Sequence, residues 1–134
     1  MNTGFGTAVS ISSDGLHLAV GADGHDVTPG SGNGALFVYD FNATTSDWDQ
    51  SAAFFGADGE GLGSFFSMSA DGSRIAIRRN PGTLTSTVQV YDTATMTLLG
   101  PAISTCAFKS SAVSISPDGN RLAVSSLRSN PLVF

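Results

Sequence analysis

One cysteine, Cys106, and one lysine, Lys109, occur in this chain of 134 residues. A single thiol excludes an internal disulfide and is expected to be a small buried side chain. Charge is scarce: 13% of residues carry it, and six basic against eleven acidic residues leave a net charge of −5. No basic stripe exists to neutralise a phosphate backbone, so nucleic acid is not an expected partner. No apolar run approaches the ~18 residues that a transmembrane span requires. Residues 1–6 pass straight into a repeat without a basic-then-apolar leader, so no secretory signal is expected at this start. Helical periodicity is missing as well, which argues against any sizeable helix.

What replaces the missing charge is 19 serines, 12 threonines and 16 glycines, beside 41% apolar residues. This is far from the composition of a disordered chain and fits many short strands joined by tight turns. A ten-residue pattern recurs three times, as GTAVSISSDG over 6–15, GSFFSMSADG over 63–72 and SSAVSISPDG over 110–119. Each copy opens with a short strand and closes on Asp14-Gly15, Asp71-Gly72 or Asp118-Gly119, a dipeptide expected to form a two-residue hairpin turn. The spacing of about fifty residues is that of propeller blades.

Around each turn, large and small side chains alternate. Val9 and Ile11 oppose Ala8, Ser10 and Ser12, and Leu16, Leu18 and Val20 oppose His17, Ala19 and Gly21. The later copies keep the design as Ile75, Ala76, Ile77 and as Leu122, Ala123, Val124. Sheets with one bulky and one small face can nest face to face, which is how radially stacked blades bury their sides. Third strands are expected at Leu36–Asp40 and Val88–Asp92, both ending in Val-Tyr-Asp, and fourth strands at Ala52–Phe55 and Met96–Leu99. With Pro131–Phe134 as the last strand, four, four and three strands are read. The prediction is one all-β domain over 1–134, with blade-like repeats at roughly 5–56, 62–104 and 110–134, or about two and three-quarter four-stranded blades.

Candidate binding residues sit where the repeats differ. Arg78 and Arg79 replace the small Gly21-Ala22 and Ser125-Ser126, offering guanidinium forks to an acidic partner or forming a solvated strand end. Trp48, in a polar turn, is suited to stacking on a sugar, anchoring a partner, or packing over an outer strand. His25 is expected in solvent in the Gly-rich loop 22–33, and His17 at a blade edge or between blades. No Gly-x-Ser-x-Gly elbow, paired-histidine motif or Cys–His signature accompanies them, so no catalytic residue is assigned. Asn42-Ala43-Thr44 fits an N-glycosylation acceptor in a secreted context.

Phe5-Gly6, the Ser-x-Asp-Gly turn and LAVGA ending at Ala22 resemble the FG-GAP repeats of integrin-α-type propellers, in the variant where a plain hairpin replaces the metal loop. The stretch 55–63 (FGADGEGLG) resembles the linker between such blades. Ser116–Gly119 and Tyr91–Thr95 are similar to WD-repeat propellers. The resemblance implies a propeller fold and an extracellular or cell-surface setting. It also makes calcium the cofactor to test, with Asp23, Asp26 and Asn33 as candidate oxygen ligands, although they lack the Asp-x-Asp-x-Asp-Gly spacing.

Eleven strands are too few for a closed ring, since four blades is the usual minimum. A longer chain, a second copy or another subunit would have to complete it, and an open strand edge is itself a template for pairing. The expected function is a non-catalytic binding or scaffold protein for a protein or glycan partner. The alternatives are a fragment of a larger propeller enzyme of hydrolase or lactonase type, and an accessory subunit of a large complex.

Overall fold

A computed structural model describes residues 3–80, 86–105, 112–125 and 132–133. The first sheet holds β1 (Phe5–Ile11), β2 (His17–Ala22), β3 (Ala35–Asn42) and β4 (Asp47–Phe55), in that spatial order. The second holds β5 (Phe66–Met68), β6 (Arg74–Arg79), β7 (Ser86–Asp92) and β8 (Ile103–Thr105). The third holds β9 (Val113–Ile115), β10 (Leu122–Val124) and β11 (Leu132–Val133). Every neighbouring pair is antiparallel, and no helix occurs among the described residues.

The alternation in the sequence becomes the packing between sheets. Leu36, Val38, Ala52, Phe54 and the small Ala19 face Met68, Ile75 and Ile77 of the second sheet, with Leu62 sealing the cluster. On the other side of the second sheet, Ala76 and Val88 face Ile115, Leu122 and Val124. Because side chains on a strand alternate between faces, Ile75 and Ile77 point to one neighbour while Ala76 receives the other. Each fully buried leucine, isoleucine or valine among them is worth about 1.5–3 kcal/mol over its exposed state. Contact is tight at Gly21, where a Cβ would lie 1.9 Å from the Gly63 carbonyl oxygen.

Two expectations are corrected. The Asp-Gly hairpins are not two-residue turns: a type I′ turn needs positive φ at both central residues, and Asp14, Asp71 and Asp118 do not have it. Instead Gly15 N–H donates to Ser12 O (3.0 Å), Ser12 N–H donates to His17 O (2.9 Å), and Gly15 alone takes positive φ. The loop is closed by side chains. Ser12 Oγ donates to Asp14 Oδ1 (2.6 Å), which also accepts from Leu16 N, while His17 N–H donates to Ser12 Oγ. Ser69/Asp71 and Ser116/Asp118 repeat the device.

The second correction concerns the fourth strand of the second sheet, which lies at Ile103–Thr105 rather than Met96–Leu99. Residues 96–99 make only the isolated bridge Tyr91–Leu98. Gly100 turns to positive φ, and Pro101 offers no N–H, so the ladder breaks and resumes two residues out of register at Val88–Ile103. Cys106 and Lys109 lie outside the described residues.

Candidate functional site

The first two strands of each sheet place bulky pairs on one face, which in the second and third sheets is turned toward the preceding sheet. In the second sheet these are Phe66–Ile77 and Met68–Ile75, buried against the first sheet. In the third they are Val113–Val124 and Ile115–Leu122, set against the second. The equivalent pairs of the first sheet are Val9–Val20 and Ile11–Leu18, continued across β3 by Phe37 and Tyr39. No described sheet covers the β1 members of these pairs: Val9 is 67% exposed, Ile11 58% and Phe5 58%, whereas Val20 is buried and Leu18 half-buried.

At one end of this face four rings gather. Phe37 stands 6.0 Å from Phe5, 5.7 Å edge-on from His25 and 6.2 Å edge-on from Phe55, and His25 lies 5.9 Å from Phe55. His25 is therefore half-buried among aromatic rings rather than in solvent. Its place follows from the loop before it, where His25 N–H donates to Ala22 O and Gly34 N–H returns to His25 O. The exposed Val9, Ile11 and Phe5 and the rings beside Phe5 give the face an apolar character running from aliphatic to aromatic. Contiguous exposed apolar area of this kind marks interaction sites.

The other candidates are held within the framework. Arg79 donates from Nε to Glu60 Oε1 (2.7 Å) and from Nη2 to Glu60 Oε2 (3.0 Å), a two-pronged pair with a carboxylate side chain 1% exposed. The bond to Glu60 holds the guanidinium pKa above its ordinary value against the opposing effect of burial. Glu60 also accepts from Ala57 N and Asn80 N, tying the Gly-rich linker to the second sheet. The importance of Glu60 escaped the sequence reading, although its being the chain's sole glutamate, set among glycines, was a signal. Arg78 lies over the Phe65 ring at 4.5 Å, and burial lowers its pKa. Both arginines are half-buried, so the strand end is not a solvated one. Trp48 packs edge-on against Phe41 of the neighbouring strand, 5.4 Å away.

Asp23, Asp26 and Asn33 do not converge. Asp23 accepts from Thr7 Oγ1 and Ser64 Oγ, and Asp26 from Gly30 N and Gly32 N. Asn33 donates to Gly56 O and Asp58 Oδ1 while accepting from Val27 N. Among the described residues no three His, Cys, Asp or Glu side chains are gathered for a metal ion. The loop is zipped to the linker instead, through Gly59 N–H to Ser31 O, Gly61 N–H to Gly32 O and Leu62 N–H to Asn33 O.

His17 Nδ1 and Asp40 Oδ1 are 2.7 Å apart beside a cleft of 260 Å³ lined also by Ser51 and Thr93. Both hydroxyls are committed, Ser51 to Val38 O and Thr93 to Gly72 O, so neither is poised on the imidazole as a nucleophile.

No family model matches the chain, and no curated protein matches it. Among solved structures it resembles the Dos1 propeller, with a TM-score of 0.55 and 16% identity over 93% of this chain. The fold is that of a β-propeller. The chain spans 30% of the length of that propeller, and its three sheets are blades of an unclosed ring.

Proposed function

We propose that this chain is a non-catalytic binding and scaffold module of propeller type, which engages a protein through the uncovered face of its first blade. One observation carries the reading: the Val9/Ile11 face is open, while the same face of both other blades is packed against a neighbouring sheet. Branched aliphatic side chains match an apolar protein surface rather than the polar ring of a sugar, which favours protein over glycan. On this reading His25 is a contact residue, and Arg78, Arg79 and Trp48 serve the framework. Kinship with FG-GAP-like or WD-repeat-like blades rests on the Ser-x-Asp-Gly turns and the Val-Tyr-Asp strand ends.

A second reading, a unit built into a larger propeller or complex, draws on the chain spanning 30% of the propeller that it resembles. Photo-crosslinking tests the proposal, with a benzophenone side chain at position 11 in one preparation and at position 44, on the far rim of the blade, in another. The expected result is a polypeptide adduct at 11 and none at 44. Equal labelling at both positions, or none at 11, would sink it.

A further inference from the structure

The two junctions between blades are built alike, down to one side chain. His17, at the start of β2, lies against Gly72 in the turn of the next blade, where a Cβ would come within 2.5 Å of the imidazole Cγ. Arg74, at the start of β6, lies likewise against Gly119, where a Cβ would come within 2.7 Å of Cδ. Its Nη1 donates to Gly119 O and Asn120 Oδ1, both at 2.8 Å. Each junction therefore seats a long or flat basic side chain on the turn glycine that follows. Beneath this clasp, bulky pairs meet a serine–alanine pair: Ser10–Ala19 in the first blade and Ser67–Ala76 in the second.

Both halves of a third junction remain, one at each end of the stack. The first blade offers the exposed Val9 and Ile11, paired with the buried Val20 and half-buried Leu18, and the turn glycine Gly15, above which space is open to 4 Å. The third blade offers the exposed Ser114–Ala123 pair. It also offers Arg121, at the position of His17 and Arg74, exposed and donating no side-chain hydrogen bond to a described residue. A blade carrying a small Ser–Ala face and a basic clasp is what the first blade needs, and a second copy of this chain carries it.

We propose that the chain pairs head to tail with a second copy. The Val9/Ile11 face of each protomer covers the Ser114/Ala123 face of its partner, and the Arg121 guanidinium rests on Gly15 and donates to its carbonyl. Two equivalent junctions close a ring of six blades around a two-fold axis. This inference rests on the reading that the first-blade face is a docking surface, and it names the occupant.

The test is native mass spectrometry and sedimentation of the purified full chain at about 10 μM, with Ile11→Asp and Arg121→Glu variants beside it. A discrete dimer is expected. Ile11→Asp should leave only monomer, and Arg121→Glu should weaken the dimer on the order of tenfold. Both positions are exposed in a single protomer, so far-ultraviolet circular dichroism should not change. A dimer indifferent to both substitutions, an open series of larger stacks, or a monomer would each overturn the proposal. A monomer that still forms an adduct with a different polypeptide at position 11 defeats the second copy alone. A monomer without any such adduct defeats the docking face as well.

Discussion

Three carboxylates, Asp14, Asp71 and Asp118, act as hubs of the hairpin turns. Each accepts from the hydroxyl of the serine two residues earlier and from a backbone N–H two residues later, and these bonds hold the carboxyl pKa below its ordinary value of 3.8, to about 2 for Asp71. Asp92 is lowered in the same way by Thr95. Depressed folded-state values mean that the unfolded chain takes up protons first as pH falls. The stability they contribute is complete above 3.8 and is lost as pH drops through the folded values toward about 2. Thermal midpoints measured across that window should fall, and Asp71→Asn, which retains a carbonyl acceptor, should flatten its share of the slope. A buried pair behaves differently: Glu60→Ala leaves Arg79 and two backbone N–H groups without their acceptor, so an unfolding free energy about 3 kcal/mol lower is expected by denaturant titration. Restoring the length with Glu60→Gln should recover part of that loss, since its carbonyl oxygen can still accept.

At the scale of strands and sheets, side-chain size decides the spacing. Gly21→Ala would place a methyl 1.9 Å from the Gly63 carbonyl oxygen, a backbone atom that cannot swing aside, so the first two blades must separate. A loss of about 2–3 kcal/mol and a lower urea midpoint are expected. The alternation that sets these faces was legible from residues such as Ile75, Ala76 and Ile77, because a strand's period of two survives in the sequence. Boundaries that depend on bond donors across the sheet were less so. Met96–Leu99 has strand-like residues, yet Gly100 and Pro101 shift the paired strand to Ile103–Thr105. The clasp was half hidden: His17, Arg74 and Arg121 each stand three residues after a turn aspartate, but only the stacking of blades shows that His17 and Arg74 lie on the glycine of the next turn. His25 was misplaced because its polar neighbours suggested solvent, whereas the aromatic rings that receive it come from strands β3 and β4, 12 and 30 residues further along.

For the whole molecule, the consequence of an open face is thermodynamic as well as structural. Association of folded protomers draws the equilibrium away from the unfolded chain, so the melting temperature should rise with protein concentration in the wild type and stop doing so in Ile11→Asp. The seam between copies would also differ from the junctions within one. Inside the chain, Ser13 N–H donates to Ala70 O (2.7 Å) and Ala70 N–H donates to Pro117 O (3.0 Å), a relay running in one direction from turn to turn. Proline has no N–H to pass on. The relay stops at the third blade, and Ser13 O of an incoming copy would find no amide there. Amide exchange should therefore be slow at Ser13 and Ala70 on their exposed turns, and a ring of two copies should open and re-form at its proline seams while the blades within each chain stay zipped.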